Sequence, residues 1–274
     1  MGKLMKYEIK GTYKVILGIL AIVLIATTIL YTYVARQEAS IVAGLASMII
    51  FGTFLSAFFY IVGSFRKELY EDRGYLTFSL PLTGNQVLGA KLIVALLWFL
   101  LIGAVTFIYN FIMMLSFATR ETGMGVSELL EELRIALSYI DGKIAFIVIL
   151  TFSIIGITTL IFIYFSMTLS RVTLRNKKIG GLWFIIFLVL IGLIAYFEIK
   201  IANAIPVYLD LNNWKIITSR VMNYYSELHV GNEGMFFNID GSGYLSITGN
   251  LFRIIMGIIL FLGTGHLIEN KIDL

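Results

Sequence analysis

Cysteine is absent from all 274 residues, which excludes disulfides, thiolate catalysis and cysteine-ligated zinc. Charge is sparse: Asp, Glu, Lys and Arg form 14% of the chain, against about 25% in a soluble domain. Histidine occurs twice, as His229 and His266, and neither has sequence neighbours that complete a metal site. Three catalytic signatures are missing too: His-Glu-x-x-His, Gly-x-Ser-x-Gly and the Walker A pattern Gly-x4-Gly-Lys-Ser/Thr. The pairs Gly241-Ser-Gly243 and Gly263-Thr-Gly265 lack the third glycine of a dinucleotide fingerprint, so turns or close helix packing are expected there. No metal, no bound cofactor and no nucleic-acid partner is expected of this chain.

What the chain has in abundance is apolar length. Hydrophobic residues make up 59% of it and the mean hydropathy is +0.91. A bilayer core about 30 Å thick needs roughly 20 helical residues at about 1.5 Å each. Six runs meet that length without a charge in their centres: 15–34, 39–64, 92–117, 144–170, 179–197 and 251–267. They predict an all-α polytopic membrane protein with six transmembrane helices and no sizeable soluble domain. The first run exceeds the roughly 7–15 residues of a cleaved signal core and lacks a small-x-small site, so it is expected to be retained as an anchor.

Basic residues set the orientation. With the N-terminus inside, the inner segments 1–14, 65–91, 171–178 and 268–274 hold 13 of the 21 Lys and Arg. The outer segments hold 11 of the 17 acids. The positive-inside rule therefore predicts N-in and C-in, with Arg171, Arg175, Lys177 and Lys178 as the clearest vote. In 1–14, Leu4, Met5, Ile9 and Tyr13 alternate at helical spacing with Lys3, Lys6, Lys10 and Lys14, which predicts an interfacial helix.

Between the second and third spans, Pro81 stops helix and Thr83 with Gln86 forms a capping-box pattern, so a new helix is expected near Thr83. On the outer side, Leu129, Leu130, Leu133 and Leu137 form an apolar stripe after Ser127, a candidate N-cap; a short amphipathic surface helix is expected. The long outer segment 198–250 is expected to form a small lid or a two-stranded turn.

The span interiors are uncharged apart from Arg253 and His266, each near an end where it can snorkel. Proton-coupled carriers use intramembrane acid or histidine relays, so such a carrier is disfavoured. Hydroxyls and one amide remain. Thr53, Ser56 and Asn110 are candidates for lining a path, with helix packing as the alternative.

The run Phe65-Arg-Lys-Glu-Leu-Tyr-Glu-Asp-Arg-Gly-Tyr-Leu-Thr-Phe-Ser-Leu-Pro-Leu-Thr-Gly-Asn-Gln-Val-Leu-Gly-Ala-Lys91 resembles the type-2 ABC transporter permease family. That family shares a basic-x-acidic, Tyr-Leu, Leu-Pro-hydroxyl, Lys pattern before its third span. Met5-Lys-Tyr-Glu-Ile-Lys-Gly11 resembles its N-terminal interfacial helix. The specific motif is confined to 65–91; elsewhere the likeness is architectural. The resemblance implies the type-2 ABC exporter permease fold in a single transmembrane domain, 1–274, multi-pass in the plasma membrane.

It also implies partners: ABC ATP-binding subunits that hold ATP and Mg, a second permease copy or paralogue, and the surrounding lipids. The chain itself would be no enzyme, with hydrolysis in the partner. The loop 65–91 would carry the coupling helix. Leu69, Tyr70, Tyr75, Leu76, Phe78 and Leu80 would plug a groove on the ATPase. Arg66, Lys67, Glu68, Glu71, Asp72 and Arg73 would form the rim. The implied function is export of an amphipathic substrate such as a peptide, antibiotic, lipid-like molecule or drug. Competing expectations are a non-transporting scaffold or sensor subunit and, from a third class, an intramembrane enzyme, for which no surface cluster of acids and histidines is found.

Overall fold

The structure, a computed structural model, describes residues 1–33, 39–70, 82–138, 141–173, 181–218, 230–232, 235–237 and 243–271. Seven helices are described: α1 (Gly2–Tyr33), α2 (Ala39–Tyr70), α3 (Gly84–Thr122), α4 (Val126–Ser138), α5 (Gly142–Thr173), α6 (Leu182–Ala204) and α7 (Ile247–Lys271). All but α4 are long and apolar enough to cross a membrane, so the chain has the character of a multi-pass membrane protein. Mid-helix apolar side chains stand outward: Met48 and Phe107 are 71% and 72% exposed. Protein does not cover them, and lipid is the solvent that suits them.

The chain divides into two compact units. The first comprises 1–68 and 89–140, the second 69–88 and 141–274. In the first unit α1 buries a stripe at three- and four-residue spacing: Leu4, Thr12, Ile16, Leu20, Val23, Thr27 and Leu30. Lys91, Ala95, Trp98, Ile102, Thr106 and Asn110 form the corresponding stripe of α3. At one end Leu30 packs with Val42 and Ala46, flanked by Tyr31, Ile49 and Phe117. Helix α4 lies largely exposed, including Leu130, with Leu129 and Leu133 half-buried. The side chain of Leu137 is outside the described residues.

In the second unit α5, α6 and α7 pack together, and Gly257 brings α7 against Thr158 of α5. Five short strands follow α6: β1 (Val207–Asp210), β2 (Lys215–Thr218), β3 (Val230–Asn232), β4 (Met235–Phe237) and β5 (Gly243–Ser246). They form one antiparallel sheet in the order β2-β1-β5-β4-β3. The β1–β2 turn is closed by Asp210, whose carboxylate accepts the backbone N–H groups of Asn212 and Asn213 at 2.8 and 3.2 Å. Trp214 ends the turn at φ 56°, in left-handed backbone. Lys143, at the start of α5, sits 5.7 Å from the Trp214 ring centroid.

Four expectations change. The sheet corrects the all-α assignment and replaces the lid or two-stranded turn at 198–250. Residues 2–14 are the first turns of one unbroken α1, with no boundary before residue 15. Gly125, not Ser127, caps α4: it accepts from the N–H of Leu129, and the Glu128 carboxylate accepts from its N–H. Arg253 is not a lone cation, because it is paired inside the chain as described below. The capping box is formed as read: Gln86 N–H donates to Thr83 Oγ1 and Thr83 N–H to Gln86 Oε1, both at 3.3 Å.

Candidate functional site

The first unit gathers three charges at one end of its helices. Lys91 of α3 donates to Glu8 Oε1 of α1 at 2.5 Å and to Glu68 Oε1 of α2 at 2.6 Å. Lys91 is buried, at 4% exposure, and the acids are partly buried, at 11% and 14%. Phe65 adds its ring 6.0 Å from the ammonium. A turn further along, Trp98 Nε1–H donates to Thr12 Oγ1 at 2.8 Å, and that hydroxyl donates to the Glu8 carbonyl at 2.8 Å. Two carboxylates thus share one ammonium, and Glu68 Oε2 is buried with no hydrogen-bond partner among the described residues. Removing one member of a buried ion pair costs roughly 3–5 kcal/mol, so this group holds three helices in one register.

Its place in the sequence matters. Glu68 and Lys91 stand on the two sides of segment 71–83. The pair therefore ties the base of that segment together and ties both sides to α1. In the second unit the same segment has separate anchors. Tyr70 Oη donates to the Met167 carbonyl of α5 at 3.3 Å, and Arg171 lies 5.7 Å from the Tyr70 ring centroid. Gly84 N–H donates to Glu269 Oε2 of α7 at 3.4 Å, and the Gly265 carbonyl occupies the space a Cβ on Gly84 would need. The close packing expected around Gly263-Thr-Gly265 is present, with Gly263 against Phe165 and Gly265 against Asn85.

The expected coupling residues separate accordingly. Arg66 and Lys67 are exposed on α2. Glu68 faces Lys91, Leu69 is buried at 4% exposure, and Tyr70 is bonded to α5. Glu71, Asp72, Arg73, Tyr75, Leu76, Phe78 and Leu80 lie outside the described residues, as do His229, Arg175, Lys177 and Lys178. The hydroxyls of Thr53 and Ser56 both donate to their own helix, at 2.6 and 2.7 Å. Thr53 is buried and Ser56 exposed. Asn110 Nδ2 donates to the Thr106 carbonyl at 2.9 Å, leaving Oδ1 buried and unpaired. The three are not brought together by any contact among the described residues.

A second buried charge pair lies in the second unit. Arg253 of α7 donates through Nε and Nη2 to Glu198 Oε2 of α6, at 3.1 and 2.7 Å. Glu198 is 1% exposed, and a Cβ on Gly249 would touch its side chain. Neither charge group was legible as a group, since its members are 23 to 83 and 55 residues apart. The available hints were single residues: Glu8, the one acid among four N-terminal lysines, and Arg253 inside an apolar run. His266 pairs with Asn270 within α7. Comparison with family models, with curated proteins and with solved structures finds no match to this chain.

Proposed function

We propose that this chain is the transmembrane permease subunit of an ATP-driven exporter in the plasma membrane, N-in and C-in, working with separate ATP-binding subunits and a second permease copy. The observation that carries the reading is the anchoring of segment 71–83. Its flanks are fixed by Glu68 and Lys91 in the first unit and by Tyr70 and Gly84 in the second. A force applied to that segment therefore reaches both units through the chain itself. Such an arrangement suits a part that receives motion from a partner, because packed elements pass on displacements as rigid bodies.

The spans support the same division of labour. Among the described residues no group of three or more acids and histidines is placed to hold a metal ion. The ion-paired charges Glu8, Glu68, Lys91, Glu198 and Arg253 lie toward helix ends. In this reading the energy comes from ATP with Mg bound in a partner subunit. An apolar path with hydroxyls and one amide suits an amphipathic substrate.

The test is co-purification with a candidate ATP-binding-cassette subunit of the same genome. Capture by the wild type and loss of capture by Tyr75→Asp/Leu76→Asp, with membrane insertion unchanged, is the expected result. Capture that survives the double change rejects the coupling assignment. Failure of the wild type to capture or stimulate such a subunit rejects the transporter reading and leaves the scaffold alternative.

A further inference from the structure

Helices α5 and α7 leave a groove between them that the functional reading does not use. Its cavity is about 320 Å³, bounded by Ile154, Thr158 and Ile161 of α5 and Gly257, Ile258 and Phe261 of α7. Its single hydroxyl, on Thr158, already donates to the Ile154 carbonyl at 2.9 Å, so the wall offers no free polar group. Gly257 meets Thr158, and Gly263 meets Phe165. Residue numbers therefore rise together along the two helices, which run parallel. Arg253 lies one turn before Gly257 on α7, level with Ile154 and just beyond the residues that line the groove, with its side chain held by Glu198 of α6.

The guanidinium there is only half engaged. Nε and Nη2 donate to Glu198 Oε2. No acceptor meets Nη1 among the described residues, and the side chain keeps 15% of its surface open. Near a span end, a cation with free donors beside an apolar slot matches one kind of molecule: an acyl chain with an anionic head at interfacial depth.

We propose that this groove holds one acyl chain of an anionic phospholipid of the surrounding membrane, with the phosphate received by Arg253 Nη1. Glu198 is a positioning residue, holding the guanidinium by its Nε edge so that the opposite edge faces the headgroup. The proposal rests on α5 and α7 being membrane spans and does not depend on any ATPase.

Native mass spectrometry of the detergent-solubilised full chain, titrated with phosphatidylglycerol and with diacylglycerol of the same chains, tests it. One phosphatidylglycerol per chain is expected on the wild type, with diacylglycerol held at least tenfold more weakly. Ile258→Trp fills the slot, and Glu198→Gln/Arg253→Gln removes the pair without stranding a charge. Each is expected to weaken phosphatidylglycerol at least tenfold. Equal binding of the two lipids, or unchanged phosphatidylglycerol binding by Ile258→Trp, overturns the proposal. So does high-yield disulfide-linked dimer from Ile258→Cys in membranes, which would make a second copy the occupant. Should the double variant elute as aggregate, Ile258→Trp and the lipid comparison decide alone.

Discussion

The two buried charge groups differ in stoichiometry and in what they join. In the first unit one lysine serves two acids on two other helices, and two of the three residues flank segment 71–83. In the second unit one arginine serves one acid, across two helices and away from that segment. The first is a three-helix clamp; the second is a two-helix pin beside the sheet. A buried pair is weak evidence for stability in itself, since apolar replacement is often neutral. What it does provide is register, and here the two groups fix different things.

That contrast can be broken by removing the cation from each. Lys91→Met leaves two buried carboxylates facing each other, and the expected loss is about 3–5 kcal/mol, the largest here. Thermal unfolding in detergent measures it, and Glu8→Gln/Glu68→Gln in the same chain should restore most of the loss. Arg253→Met leaves a single buried carboxylate. Its loss should be smaller, with hydrogen exchange rising in 243–271 and not in 1–33. Equal losses, or exchange that spreads to α1, would erase the distinction between clamp and pin.

Smaller effects sharpen it. Trp98→Phe deletes one donor to Thr12 at 2.8 Å, for a loss of about 0.5–1.5 kcal/mol by the same melt. A loss near that of Lys91→Met would shift the clamp's weight from the ions to Trp98. The smallest effect lies outside both groups, in the β1–β2 turn. The Asn213 amide, aided by the backbone N–H groups of Asn212 and Asn213, holds the Asp210 carboxyl below the usual aspartate range. A lowered value in the folded state means the turn's stabilisation is full above the unfolded value of about 3.9. It is lost as pH falls through the folded value. Amide protection at 212–214 should therefore fall between pH 5 and pH 2, as order-of-magnitude bounds. Asp210→Asn should flatten that dependence.

The sequence was most readable where hydropathy alone decides. Among the described residues each apolar run lies on one of the six long helices, and every one of these helices extends past its run; in α1, α2 and α3 the extension carries Glu8, Glu68 and Lys91, which pair inside the protein. A hydropathy window ends at such charges; the helix does not. Strands of three or four residues with Gly and Asn between them carry too little alternation to announce a five-stranded sheet. Glu68 shows the limit most plainly. By pattern it belongs to the charged rim of a loop, while its partner 23 residues on turns it inward.

Glu8, Lys91 and Glu68 join α1, α3 and α2 where α2 and α3 flank segment 71–83 in the sequence. With the ATP-binding subunit proposed above, once captured, ATP hydrolysis in lipid discs by wild type and by Glu8→Gln/Glu68→Gln/Lys91→Met tests whether this group takes part in coupling. The neutral variant keeps the packing without the ion pairs. The neutral variant is expected to give the same yield of complex with its stimulation of hydrolysis lost. Full stimulation in the neutral variant would contradict it.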